Sequence, residues 1–386
     1  MTTTEIKTAC LLAGIYMTRM LGLFLIFPTF SLLANNLQGS TPFKIGLALG
    51  IYSLSQAVLQ IPAGMLSDII GRKKVLYGGL TFFFIGSVLA ANTRDIDVLI
   101  IARLLQGMGA VSAVCLAYVA DSISADQRSK AMVIIGLAIG SSFILSFILG
   151  SLIADAWGLG GLFATTACLA AMAIVFAYLL PTPKQTLAVF NWSDLIKGAM
   201  NWQLLQVNLQ VAVLHMMLSA SFFLIPILLK AGELADNSLM SLYVPAILIA
   251  FVAIGPIIRT SRESSATRLP VFWAVFALAL LLFSLADAFV DSWWFIAVLA
   301  LFFFAFTFIE AVLPARLFQL AKTTSRGTTS GIFSVYQYGG SFLGGLLGAK
   351  LYTTLSQNAI LSDAFYFLAM LTTVVAIATF IIQKKG

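Results

Sequence analysis

The sequence predicts an all-α membrane protein of twelve transmembrane helices in two six-helix halves. Three observations carry that expectation. Of 386 residues, 60% are hydrophobic and 10% charged, with a mean hydropathy of +1.01, whereas a soluble domain carries about a quarter charged residues. Twelve apolar runs approach or exceed the ~20 residues that cross a bilayer. The lysines and arginines between those runs fall mostly on one side.

The runs span 8–34, 43–67, 75–92, 97–120, 130–154, 159–181, 203–229, 239–259, 269–288, 292–316, 328–353 and 359–382. The first is too long for a signal-peptide core and lacks a clear cleavage site, so a retained helix is expected. Thr182 to Trp202 is the longest polar connection, opened by Pro181 and Pro183. Asn191 is placed to cap a short amphipathic helix there, through Ser193, Leu195, Ile196 and Met200, lying on the membrane surface. This gives a first half over 1–181, a linker over 182–202 and a second half over 203–386.

Sixteen basic residues, among them Lys7, Arg72, Lys73, Lys74, Arg128, Lys197, Arg268 and Lys385, fall on one side; Lys44, Arg94, Lys230 and Lys350 fall on the other. The positive-inside rule then places both termini and the linker in the cytoplasm. The net charge of +7 makes no basic face, so nucleic acid is not an expected partner. Cys10, Cys115 and Cys168 lie in apolar runs, which argues against a disulfide framework. One histidine and no cysteine cluster predict no metal site. The chain carries no phosphate-binding glycine loop and no catalytic-triad spacing, so neither an enzyme nor a cofactor is expected.

The halves echo each other weakly. Gly136 and Gly150 follow Arg128 as Gly331 and Gly345 follow Arg326, fourteen residues apart in both cases. Parallel halves with a substrate path between them near the midplane are an established transporter plan.

Between runs two and three lies Gly64-Met65-Leu66-Ser67-Asp68-Ile69-Ile70-Gly71-Arg72-Lys73-Lys74. Asp68 and Arg72 are four residues apart, within reach if the turn is helical. Charge alone fits a positive-inside anchor. The order G-x-L-S-D-x-x-G-R-K-K resembles the signature loop of the major facilitator superfamily, a gate latch, although Ile69 stands where that family usually has arginine. The resemblance implies that Gly64, Asp68, Gly71, Arg72 and Asp121 form the gate.

Arg19, Arg103, His215 and Glu310 lie deep inside runs, where charge is costly and faces a cavity or a partner. Arg103 lies in R-x-x-Q-G-x-G-A, which looks like the superfamily's helix 4 motif associated with proton coupling; the alternative is a structural arginine holding carbonyls of a neighbouring helix. Arg19 either snorkels or faces the cavity beside Tyr16. Glu310, deep in run ten, is either a proton site or one member of a permanent ion pair with Arg19 or Arg103. His215 is either a satisfied core residue or a second proton carrier. Run eleven combines Gly340, Gly344 and Gly348, a face for close helix packing, with Tyr336, Gln337 and Tyr338 as cavity groups. Run five has the glycine spacing of the superfamily's antiporter motif, but Gly150-Ser151 replaces its Gly-Pro.

Several stretches look specifically like the YajR-type drug/proton antiporter group of bacterial inner membranes: Arg19 to Gly22, Gly50 to Val58, Leu214-His215, Ile309 to Pro314 and Gly331 to Gly345. The familiar member carries an additional soluble C-terminal domain. This chain stops just after run twelve, so regulation through such a domain is not expected. The resemblance implies a bacterial inner-membrane monomer, with lipid, protons and a small-molecule substrate as partners. The first functional expectation is proton-coupled efflux of a lipophilic or amphipathic molecule by alternating access. The alternative is a symporter or facilitator for a defined polar metabolite such as a siderophore or sugar. A non-transporting sensor or scaffold is the third class.

Overall fold

Inside a bilayer no water satisfies the main chain, so a chain this apolar closes its hydrogen bonds within helices. The computed structural model describes residues 1–124, 126–182, 200–231, 239–260, 266–285, 292–321, 326–355 and 362–385. In the first half α1 covers Thr3–Phe24, α2 Phe30–Ala34, α3 Pro42–Ile70, α4 Arg72–Asn92, α5 Ile96–Met108, α6 Ser112–Ser122 and α7 Arg128–Leu179. In the second half α8 covers Trp202–Ala231, α9 Leu239–Thr260, α10 Leu269–Phe283, α11 Ser292–Leu320, α12 Arg326–Leu355 and α13 Ser362–Lys385. Most of the expected linker, including Asn191 to Ile196, lies outside the described residues.

Local sequence explains the departures from twelve simple rods. Run one breaks after Phe24 and resumes at Phe30, with Pro28 between, where proline can neither donate nor fit a helix interior. Run four divides at Gly109 into α5 and α6. Runs five and six are joined without a loop: at Gly158 the backbone takes φ 61° and ψ −157°, open only to glycine, and α7 crosses twice. Its ends meet the same face, since Arg128 Nη2 donates to the Ala120 carbonyl at 2.7 Å and Lys73 Nζ donates to the carbonyls of Tyr178 and Leu180.

Among the described residues nine helices are long and apolar enough to cross a membrane. One is α7 with its two crossings; α10 is shorter, and α12 is diluted by glycine, serine and tyrosine. Each of the twelve expected runs thus lies on a crossing. Helix α12 spends its glycines on contact: a Cβ on Gly344 would stand 2.2 Å from the Met216 carbonyl oxygen of α8, and one on Gly345 2.7 Å from that of Gly46 in α3.

The face that carries both chain ends is here called the terminal face, and the other the opposite face. The larger apolar cluster joins the halves and continues through the second half to Leu204, Leu269 and Leu317 near the terminal face. Toward the opposite face, Leu25, Phe27, Leu49, Phe147 and Phe163 of the first half share one cluster with Phe222, Tyr243, Phe303 and Phe365 of the second. Toward the terminal face, Leu12, Tyr16, Leu80, Val114, Tyr118 and Ile135 form a cluster confined to the first half.

Candidate functional site

The turn between α3 and α4 brings several of the named side chains together. Gly71 takes φ 106°, a conformation other residues rarely adopt, and turns α3 directly into α4. That brings Arg72 back over the end of α3. Its Nε donates to Asp121 Oδ2 at 2.8 Å, its Nη1 donates to Ser67 Oγ at 2.6 Å, and Nη1 stands 2.5 Å from Asp68 Oδ1. The Asp68 contact is ionic, without hydrogen-bond alignment. Gly64 meets the Ala113 methyl at ordinary contact distance. Ser67 and Lys73 were not singled out from sequence, yet Ser67 completes the Arg72 pocket and Lys73 caps the end of α7. The pairs described here join α3, α4 and α6, all within the first half.

At mid-depth the first half holds two guanidinium groups grouped around Tyr52. Arg103 Nε donates to the Ala48 carbonyl at 3.2 Å, its Nη1 donates to Gln106 Oε1 at 2.8 Å, and its Cζ lies 4.6 Å from the centre of the Tyr52 ring. Arg19 Nη1 donates to Ser112 Oγ at 3.0 Å and its Nη2 donates to the Tyr52 hydroxyl at 3.3 Å. Gln56 Nε2 donates to the same hydroxyl, and Tyr16 donates to the Ser112 carbonyl. Neither arginine pairs with Glu310, so the structure does not form the ion-pair alternative with Arg19 or Arg103: hydroxyls, a carbonyl and an amide accept from the two guanidinium groups, and Arg19 Nε and Arg103 Nη2 have no hydrogen-bond partner. Buried Gln56, Gln60, Gln106, Asn208 and Gln210 make the interior more polar than the runs suggested.

The second half brings Glu310, His215 and Gln337 together. His215 Nδ1 lies 3.2 Å from the Val211 carbonyl four residues back, so it carries the proton and leaves Nε2 as an acceptor. Gln337 Nε2 then donates to His215 Nε2 at 2.9 Å and to Glu310 Oε1 at 3.0 Å. Glu310 Oε2 has no hydrogen-bond partner and stands 3.7 Å from His215 Nε2. Glu310 keeps 33% of its side-chain surface and His215 13%, while Glu310 Oε2 itself is buried. Glu310 and His215 are both groups whose chemistry allows a proton to be bound or released. Protonated His215 would present a donor to Gln337, whose amide must then turn its oxygen inward.

Residues Ser334 to Gly339 all keep partial exposure within α12. Tyr336 packs against the apolar core. Tyr338 interacts electrostatically with Arg19 and Tyr52 of the first half and with Glu310 of the second. Arg103 stays apart from Glu310 and His215, its hydrogen bonds running to α3 and its own helix.

Aromatic residues, not singled out from sequence, seal the opposite face. Phe147 lies 5.5 Å from Phe222, 5.3 Å from Tyr243 and 5.7 Å from Phe303, centre to centre, and Phe27 stacks on Phe222 at 5.1 Å. Phe147 and Tyr243 are fully buried.

Twelve crossings, with polar groups at mid-depth and a seal toward one face, define a membrane carrier. The chain belongs to the Major Facilitator Superfamily, whose family description matches residues 12–345. It is therefore a multi-pass membrane transporter and not an enzyme. It is 33% identical over 358 residues to the inner membrane transport protein YajR of Escherichia coli (strain K12), covering 90% of this chain and 78% of that one. An uncharacterized transporter of Buchnera aphidicola subsp. Baizongia pistaciae (strain Bp) is 31% identical over 376 residues, 94% of this chain and 95% of the relative. Among solved structures, a point mutant of the nucleoside transporter NupG aligns with a TM-score of 0.73 at 16% identity, over 96% of this chain and 98% of that one. The human organic anion transporter MFSD10 aligns with a TM-score of 0.63 at 16% identity, over 97% and 100%. These two likenesses concern the fold.

Proposed function

We propose that the protein is a proton-coupled transporter of an amphipathic small molecule, working by alternating access between its halves, with efflux as the direction. One observation carries the reading: Glu310 sits at mid-depth with one oxygen on Gln337, the other without a hydrogen-bond partner, and no lysine or arginine paired to it among the described residues. A buried acid in a membrane span with no cationic partner is the kind of group that marks a proton relay. The sixteen-to-four bias of basic residues supports cytoplasmic termini, so the aromatic seal closes the outer face and the cavity faces inward. In this reading the Asp68–Arg72–Asp121 cluster keeps α3, α4 and α6 one rigid unit during the transition, Arg103 sets the geometry of α3 and α5, and the protein acts as a monomer in a bacterial inner membrane. The division into 1–181, 182–202 and 203–386 follows from the same plan.

The test is proton flux in liposomes holding a pH-sensitive dye, measured beside thermal stability of the same protein. Glu310→Gln, a fixed mimic of the protonated acid, should stay folded and bind substrate while losing uphill, pH-driven transport. His215→Ala should shift the pH optimum without uncoupling. A stable Glu310→Gln protein that still pumps uphill would remove Glu310 from the mechanism. The buried polar layer favours one second reading: symport or facilitation of a polar metabolite. In that case the imposed proton gradient would move substrate with the protons, or leave it unaffected.

A further inference from the structure

Arg19 is 2% exposed, at mid-depth, and bonds only to hydroxyl groups: Ser112 Oγ on Nη1, the Tyr52 hydroxyl on Nη2, and nothing on Nε. The other groups interacting with it are the phenols of Tyr338 and Tyr16 and the Cys115 thiol. No carboxylate is among them. Arg103 also has one nitrogen, Nη2, without a partner, but a main-chain carbonyl and a side-chain amide hold it from α3 and its own helix and an aromatic face covers it. Charges inside a membrane protein are normally paired or hydrogen-bonded to groups that compensate them. Hydroxyls rotate and are neutral, so none of the groups bonded to Arg19 balances its charge or holds it from a fixed main-chain position. Tyr338 of the other half, which is partly exposed, interacts electrostatically with both Arg19 and Glu310.

We infer that Arg19 is the recognition point for an anionic group, a carboxylate or sulfonate, carried on an apolar or aromatic frame. The substrate anion uses the free Nε–H together with a neighbouring Nη–H, the two-point geometry that arginine offers to planar anions. The phenol rings of Tyr16, Tyr52 and Tyr338 accommodate the frame. This deepens the transport reading above by naming the substrate class, and it rests on the space between the halves being the substrate path.

The experiment is equilibrium binding to the purified protein in phosphatidylcholine nanodiscs, with four matched probes: 1-naphthoate, 1-naphthalenesulfonate, 1-naphthylmethylammonium and 1-naphthalenemethanol. Both anions should bind roughly tenfold more tightly than the ammonium and the alcohol, the size expected of a charge-assisted hydrogen-bonded contact. Naphthoate affinity should fall about tenfold in Arg19→Gln and a few-fold in Arg19→Lys, which keeps the charge but loses the fork. Equal binding of the ammonium or the alcohol by the wild type overturns the proposal, whether or not Arg19→Gln folds. Wild-type affinity in Arg19→Lys or Arg19→Gln does the same. No gradient is applied, so anion binding can fail while Glu310-dependent proton flux persists, and the converse result leaves the anion site standing.

Discussion

Phe147→Ala should open the opposite face. The ring of Phe147 meets Phe222, Tyr243 and Phe303 of the second half across distances of 5.3 to 5.7 Å. Its contact with Phe143 at 5.0 Å stays within the first half and is kept in either state. Ring pairs contribute about 0.5–1.5 kcal/mol each beyond burial, so the three cross-half pairs favour the sealed state by about 1.5–4.5 kcal/mol. Each 1.4 kcal/mol is a tenfold change in an equilibrium. Removing the ring should therefore shift the balance toward the conformer open at that face by roughly ten- to a thousandfold. Spin labels at Asn36 and Thr354, exposed positions toward that face in the two halves, would report the change as a longer distance population. A second pair at Asp126 and Gln319 should shorten as the terminal face closes. A folded Phe147→Ala protein whose two distance distributions match the wild type would show that other contacts hold the seal.

Two further outcomes test the packing and the latch. Asp121→Asn leaves Arg72, with 6% of its side chain exposed, short of its hydrogen-bonded carboxylate, and should cost about 3 kcal/mol. Asp68→Asn should cost less, because Asp68 is more exposed and its contact unaligned; thermal unfolding of both variants checks the order, and the reverse order refutes it. Gly344→Val drives a side chain into the Met216 carbonyl and should abolish folded, monodisperse protein in size-exclusion chromatography, whereas Gly136→Ala, with nothing within 4 Å of the added methyl, should match the wild type.

The crossings were legible because the bilayer imposes one rule on every residue: about twenty apolar positions, then a charge. That rule reads length and does not read backbone direction. It therefore anticipated α3 and α8, and missed that Gly158 joins two crossings without a loop and that Gly109 divides α5 from α6. In both places a single glycine decides the path, and a hydropathy average barely registers it. Helix α12 shows the converse. Its low hydropathy hides it as a span, yet the glycine spacing that lowers it is what presses it against α8 and α3.

The charged groups divided along the same line. Asp68, Arg72 and Asp121 were legible because Asp68 and Arg72 share a helical register and a family order places Asp121 with them. Glu310, His215 and Gln337 stand on three helices, 95 and 27 residues apart in sequence, and no spacing rule connects them. Glu310 and His215 stood out singly because ionisable groups are rare at depth; Gln337 stood out only as one polar group among neighbours. Its role comes from an amide with two donors on one nitrogen, which joins an acceptor carboxylate to an acceptor imidazole. Replacing it by glutamate would put a second acid beside Glu310, and replacing it by leucine would leave both acceptors unbridged. The amide thus ties the two proton-bearing groups to α12, the helix that also presents Tyr338 to Arg19. A change of protonation on one side and of occupancy on the other would therefore meet in a single helix at the boundary between the halves.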